Sequence, residues 1–203
     1  MGAEPRARQL ADLYAARVQD IKVRVARGLQ GARRARVYVE LGQRGPSEYG
    51  NSYGDDLWGP LVETVGGTNI AKGRVVSAAP LSPEYVLAAN PEYIFITGST
   101  WTNSPTAVEM GFGVPPDVTN ARLRPYLDRP GWRSLAAVRT GHVYALHHGI
   151  ARTLFDFAGM EFIAKAMFPA QFADVDPETS MRGFFAKYLP VSFDGTWMLK
   201  LRP

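Results

Sequence analysis

The stretch SPEYVLAANPEYIFITG, residues 82–98, decides the fold class, because it contains a short helix followed closely by a buried strand. Ser82-Pro83-Glu84 is typical of a helix start, since serine accepts hydrogen bonds from free backbone N–H groups and proline fits the first turn. Asn90-Pro91 ends this helix. The apolar, β-prone run from Tyr93 to Thr97 then predicts a strand, and a polar loop follows it.

Similar units are predicted on both sides of this stretch. Repetition of strand, loop and helix indicates an α/β fold of three layers with a mostly parallel sheet. Ligands bind such sheets at the carboxyl ends of the strands, so the loops that follow the strands are expected to converge on one functional edge. The further predicted strands are 36–41 and 141–146, the further helices 57–65, 152–167 and 176–188, and the loops 42–54, 98–105 and 147–152.

A long amphipathic helix is predicted before the first strand, over residues 5–30. Its apolar residues recur every three or four positions, which places them on one helix face, and basic residues occupy the other face. We therefore divide the chain into a long helix at 1–33 and an α/β lobe at 34–203. The apolar face comprises Leu10, Tyr14, Val18, Ile21, Val25 and Leu29.

Composition excludes several classes of protein. Of the 203 residues, 46% are hydrophobic and 21% are charged, which excludes disordered and collagen-like chains. The absence of cysteine excludes disulfides and thiolate metal sites. We expect neither a membrane-spanning segment nor an export signal in this chain, because no apolar run has the required length or position. The net charge of +4 arises in residues 1–36, where a basic helix face is typical of a solvated surface, so no nucleic-acid partner is expected.

Several segments resemble the motifs of one known family in order and spacing. The predicted helix at 57–65 is followed by Gly66-Gly67-Thr68-Asn69-Ile70, residues 81–94 resemble the pattern S-x-E-x-L … N-P-D-x-I, and residues 130–144 resemble P-G-W … A-V-K-N-G-R-V-Y. With the long helix, these segments resemble the class III periplasmic substrate-binding proteins of ABC importers, which serve ferric siderophores, haem and vitamin B12.

This resemblance implies the interlobe helix and the C-terminal lobe of a two-lobe periplasmic receptor. The implied function is capture of a small-molecule metal chelate, with a ferric siderophore as first choice, and docking on the permease subunits of an ABC transporter. Haem, cobalamin and an oxyanion such as molybdate are the alternative ligands. The family's cleft lies between its lobes, so we expect an N-terminal lobe or a partner chain to supply the second wall. No resident cofactor is expected.

The candidate ligand-binding residues lie in the loops that follow the predicted strands. Imidazole binds iron or hydrogen-bonds chelate oxygens, but adjacent extended side chains point to opposite sides, so at most one of two neighbouring histidines faces the ligand. Arginine suits an anionic chelate, and tryptophan in a polar loop suits stacking on a flat one. The alternative for each residue is an ordinary surface or packing role. The set is His147, His148, Arg152, Trp101, Arg44, Tyr49 and Tyr53, with direct metal ligation by either histidine as the less favoured interpretation.

Glu84 has a different expected role. The resemblance matches it to the glutamate that pairs with arginines of the importer's membrane subunit, whereas the alternative is that it only stabilises its own helix start. Two other classes of function stay open: a non-binding scaffold, and a metal hydrolase built on His147, His148 and a carboxylate such as Asp156. The hydrolase is disfavoured because the sequence contains no nucleophile elbow, zincin helix or phosphate-binding loop. We therefore expect a binding protein rather than an enzyme.

Overall fold

Five strands form the central sheet in the computed structural model, which describes residues 4–202. The sheet order is β3-β1-β5-β6-β7, with β7 alone antiparallel to its neighbour, and β2 and β4 form a separate antiparallel pair. The strands are β1 (Arg36–Leu41), β2 (Asn51–Tyr53), β3 (Thr68–Asn69), β4 (Ala78–Pro80), β5 (Tyr93–Gly98), β6 (Val143–His147) and β7 (Met198–Lys200). The mostly parallel sheet confirms the predicted fold class.

Helices cover both faces of this sheet. They are α1 (Glu4–Leu29), α2 (Trp58–Thr64), α3 (Pro83–Ala89), α4 (Pro116–Leu123), α5 (Ala136–Arg139), α6 (Asp156–Met167) and α7 (Pro177–Tyr188). In β1, Val37 and Val39 point into the core shared with α1, α2, α6 and α7, whereas Tyr38 points into the core on the opposite face. This alternation is the strand period of two, and it gives the three predicted layers.

Helix α1 lies against α6 through the face that the sequence predicted. Ile21 and Val25 are fully buried there, and the other four apolar residues of that face are partly buried against the same core. Polar contacts add to the packing: Arg24 makes a bidentate ion pair with Asp174, and the Tyr14 hydroxyl lies 3.3 Å from a carboxylate oxygen of Asp156. The long helix therefore contacts the lobe along most of its length and is buried most deeply at Ile21 and Val25.

The structure corrects several predicted boundaries. The helix expected from Arg152 begins at Asp156, because residues 148–152 form a 3-10 turn first. The segment 42–54, expected to be a loop, contains a 3-10 turn and strand β2, and the proline-containing stretch after residue 114 contains α4. Strands β3, β4 and β7 were not predicted, since segments of two or three residues carry no periodic pattern. Within residues 4–202, no helix combines the length and the apolar character that a bilayer crossing requires.

A candidate ligand pocket at the carboxyl edge of the sheet

The carboxyl ends of β1, β5 and β6 lie side by side, since Leu41 pairs with Thr97 and Gly98 pairs with His147. A pocket of about 410 Å³, which we call the edge pocket, opens at this edge. The β2–β4 pair forms one wall and the 3-10 turn after β6 forms another. Its lining residues are Leu41, Asn51, Tyr53, Asp56, Leu57, Ser77, Ala78, His148 and Arg152.

His148 and Tyr53 form the polar floor of this pocket. The Tyr53 hydroxyl and the Thr97 hydroxyl each lie 3.4 Å from Nδ1 of His148, and the rings of Tyr53 and His148 stack with centroids 5.8 Å apart. Burial, with a further contribution from the charge of Arg152, lowers the pKa of His148 to about 4. Burial raises the pKa of Tyr53 to about 12. Both groups are therefore uncharged near neutral pH and act through hydrogen bonds.

Arg152 brings a positive charge to the mouth of the pocket. Its side chain is exposed and forms no ion pair with any carboxylate of residues 4–202. The acidic lining residue, Asp56, instead accepts a hydrogen bond from the Ser77 hydroxyl. The pocket thus combines one unpaired guanidinium and one hydrogen-bonded carboxylate with several neutral hydrogen-bonding groups, and the guanidinium is suited to an anionic, oxygen-rich ligand.

His147 lies outside the pocket, although it is adjacent to His148. Its ring packs on Trp197 with centroids 4.5 Å apart, and its Nδ1 accepts a hydrogen bond from the Gly149 N–H. Burial lowers the pKa of His147 to about 4, so the neutral ring carries its proton on Nε2. The two imidazoles therefore face different surroundings: His148 lines the pocket, whereas His147 packs on Trp197.

The other predicted site residues lie away from the pocket lining. Trp101 follows β5 and is half-buried, but it belongs to neither core cluster. Tyr49 packs against the core on the α3 face, because its hydroxyl accepts a hydrogen bond from Nε1 of Trp132 at 2.7 Å. Arg44 is exposed and pairs with Glu48 at 3.5 Å. None of these three residues lines the pocket, so their contact with a ligand stays a prediction.

The sequence analysis missed a buried ion pair that holds the segment between β1 and β2, which we call the first rim loop. Arg129 makes a bidentate contact with Glu40 at 2.7 and 2.8 Å, and the two side chains are 3% and 0% exposed. The guanidinium also donates to the carbonyls of Pro46 and Glu48, and the rings of Tyr49, Tyr126 and Trp132 surround it. The only sequence signal was a glutamate at an inward position of an apolar strand.

Asn69 is a second missed residue, and it fixes the backbone that carries Tyr53. Its side-chain amide donates to the carbonyls of Tyr53 at 2.7 Å and Gly54 at 3.2 Å, and its Oδ1 accepts from the Ala71 N–H. Asn69 is 3% exposed, so these bonds replace water entirely. The Gly-Gly-Thr-Asn-Ile segment noted in the sequence therefore supports the pocket from behind.

Glu84 lies in the first turn of α3 and is fully on the surface. It forms no ion pair with the residues in the described range 4–202. Its carboxylate is therefore available to a partner, while the cap of this helix is supplied by Ser82, whose hydroxyl accepts from the Tyr85 N–H.

Larger grooves lie elsewhere, among them one of about 520 Å³ between α1 and α7 and one of about 710 Å³ beside β7. In the first, Arg24 is already paired with Asp20 and Asp174, and Asp176 caps α7. The second follows an edge strand. In residues 4–202, no group of three or more histidine, aspartate or glutamate side chains is placed to hold a metal ion. The edge pocket is the site where unpaired polar groups from separate elements converge.

Comparison with known proteins gives the family. A sequence profile described as periplasmic binding protein matches residues 1–148. The TroA-like periplasmic binding protein FepB from Veillonella parvula is 37% identical, with a TM-score of 0.93 over 100% of this chain and 58% of its own. A comparison with curated proteins finds no significant match.

More distant structures share the fold. The molybdate-bound protein MolA from Haemophilus influenzae is 18% identical with a TM-score of 0.64, over 92% of this chain and 51% of its own. A periplasmic heme binding protein from Pseudomonas aeruginosa is 19% identical with a TM-score of 0.63, over 83% of this chain and 55% of its own. The chain thus spans 51–58% of the length of these three proteins. Since the profile covers more than half of the sequence and the Veillonella protein is similar along all of it, the chain belongs to the periplasmic binding protein family.

Proposed function

We propose that this chain is the ligand-binding lobe of the substrate-binding component of an ABC import system, that it acts outside the cytoplasmic membrane, and that its ligand is an anionic iron chelate. The observation that carries the proposal is the edge pocket, in which the unpaired guanidinium of Arg152 stands above the neutral groups of His148 and Tyr53. An anionic chelate supplies a counter-charge for Arg152 and acceptor oxygens for its N–H donors. Binding of this kind needs no bond making or breaking in the ligand.

A second lobe supplies the opposite wall in this proposal. The pocket is open at the sheet edge, and the relatives of known structure are nearly twice as long as this chain. Helix α1 is the connection between the lobes, because it is buried against the lobe at Ile21 and Val25 while residues 4–20 are exposed or only partly buried.

Glu84 is the proposed contact with the permease. It is exposed, it lacks an ion partner in the described residues, and α3 needs only Ser82 as its cap. An arginine of a membrane subunit would bind it at the surface without any rearrangement of the lobe.

The ligand is tested with a panel of ferric tris(catecholate), haemin, cobalamin and molybdate, using quenching of tryptophan fluorescence. We expect ferric tris(catecholate) to bind most tightly. Arg152→Ala should lower its affinity about 10- to 100-fold, because a hydrogen bond to a charged group contributes about 1.5–3 kcal/mol.

Arg44→Ala is the matched control, since Arg44 is an exposed arginine of the same edge that is already paired with Glu48. Equal affinity losses for the two variants would show general charge attraction rather than the pocket, and preferential binding of another compound would replace the proposed ligand. Absence of quenching by all four compounds would favour the non-binding scaffold.

A further inference from the structure

Leu57 has a backbone conformation that leucine rarely adopts. Its φ is +47° and its ψ is −110°, a combination open to glycine and strained for a residue with a β-carbon. Leu57 occupies the second position of a turn that the Gly59 N–H closes by donating to the Asp56 carbonyl at 2.9 Å. Glycine is the residue normally found at such a position.

The surrounding turn holds Leu57 in this conformation. A β-carbon on Gly59 would lie 2.0 Å from the Gly54 carbonyl oxygen, and one on Gly54 would lie 1.8 Å from that of Val75, so the backbones there are in direct contact. Trp58, the next residue, is fully buried. Gly54 and Gly59 therefore stand where a side chain would not fit, whereas Leu57 stands where the backbone conformation favours glycine.

The side chain of Leu57 lines the pocket and is half-buried against the core. Leu57 shares the pocket lining with the apolar residues Leu41 and Ala78, so part of the wall beside the polar floor is apolar.

We infer that Leu57 is a specificity-determining residue: its strained turn places an isobutyl group on the pocket wall, where it contacts an apolar part of the ligand, such as the ring edges of an aromatic chelate. The inference rests on the proposed function for the ligand, but the strain itself is independent of it. A small bare oxyanion offers no surface to this group.

Thermal unfolding of Leu57→Ala and Leu57→Gly without ligand tests the strain. At a residue with an ordinary negative φ, the glycine variant is less stable than the alanine variant. At Leu57 we expect the reverse: Leu57→Gly should have a melting temperature about 2–4 °C above that of Leu57→Ala. Gln30, exposed at φ +38° beyond the end of α1 and outside the pocket, is the control position. The Gln30→Gly and Gln30→Ala pair should show the same order of stability with unchanged binding. Equal stability of Leu57→Ala and Leu57→Gly would overturn the claim that the backbone of Leu57 is strained.

Quenching by ferric tris(catecholate) tests the contact. We expect both Leu57 variants to bind about tenfold more weakly, and Leu57→Met, which keeps the apolar volume, to stay within about threefold of the wild-type chain. If the wild-type chain binds the chelate and Leu57→Ala binds it with the same affinity, the proposed contact of Leu57 with the ligand is overturned, whereas the proposed ligand is not. Absence of binding by the wild-type chain would overturn the proposed ligand and the contact together, while the unfolding comparison would still decide the strain.

Discussion

At the residue scale, the pocket depends on two ring systems that stay uncharged. His148 and Tyr53 are desolvated by the β2–β4 pair and by the turn after β6, and each is the other's neighbour. A charged imidazole here would repel Arg152 and lose its hydration. The site therefore presents one positive charge, on Arg152, and one carboxylate, on Asp56, among uncharged groups, which makes the positions of these two charges the basis of ligand orientation.

The lowered histidine pKa values predict a loss of stability in mild acid. His147 and His148 both have pKa values of about 4 in the folded chain, against an ordinary 6.5, so the unfolded chain binds more protons between these values. Stability is then fully present above pH 6.5 and falls toward pH 4, by up to about 1.4 kcal/mol per pH unit for each histidine.

His148→Gln should make this pH dependence shallower, because glutamine keeps a hydrogen-bonding group but does not titrate. Chemical denaturation at a series of pH values measures the slope. Burial raises the pKa values of Asp156 and Glu161, so these groups stabilise the folded chain as the pH falls. Their effect is the same in the variant and the wild-type chain, so it cancels when the two slopes are compared. Identical slopes for the variant and the wild-type chain would mean that His148 is already charged or solvated.

At the element scale, the first rim loop owes its shape to the Glu40–Arg129 ion pair. Residues 45–50 contribute carbonyls to Arg129 and the Gly50 N–H to Glu40. The loop leads directly into β2, which carries Asn51 and Tyr53 to the pocket. The ion pair thus determines where the pocket wall begins.

Arg129→Met should destabilise the lobe by about 3–5 kcal/mol, because it leaves the Glu40 carboxylate buried without a counter-charge. Denaturant unfolding measures the change. Adding Glu40→Leu should recover part of the loss, since the pair is then replaced by apolar side chains. Arg44→Ala, which breaks an exposed pair, should change stability by no more than about 1 kcal/mol. A loss for Arg129→Met as small as that would mean that the pair is solvated.

The predictable elements were those with a local signal. Strands β1, β5 and β6 were recognisable as β-prone runs followed by polar loops, and the face of α1 by its spacing of apolar residues. His148 and Arg152, which line the pocket, were singled out because they belong to the loop that follows a predicted strand. Glu40 and Arg129 are 89 positions apart and meet only in the folded chain. Tyr49 and Tyr53 looked equivalent in the sequence, but β2 directs only Tyr53 into the pocket.

At the scale of the whole molecule, helix α1 and the α/β lobe share one apolar core. Ile21 and Val25 belong to the same cluster as Phe157 and Phe184 of the lobe. In the proposed two-lobe receptor, this anchoring makes α1 a rigid extension of the lobe, so that any movement between lobes occurs beyond its buried turns.

Ile21→Ala tests this anchoring. Removal of a fully buried isoleucine side chain should lower the free energy of unfolding by about 2–5 kcal/mol. Val23→Ala is the matched control on the same helix, because Val23 is 38% exposed, and it should cost clearly less than Ile21→Ala. Hydrogen exchange should become faster along α1 in the Ile21 variant. Equal, small effects of both substitutions would show that α1 is not part of the lobe's cooperative unit.

The most direct test of the central claim is a ¹H–¹⁵N NMR titration of the chain with gallium tris(catecholate), a diamagnetic substitute for the ferric complex. The claim is that the carboxyl edge of the sheet binds an anionic chelate. It predicts that chemical-shift changes concentrate at Tyr53, Leu57, His148 and Arg152, and that Arg152→Ala needs about 10- to 100-fold more chelate to reach the same changes at the other three residues. Changes centred on the α1–α7 groove or beside β7, or no changes at all, would contradict it.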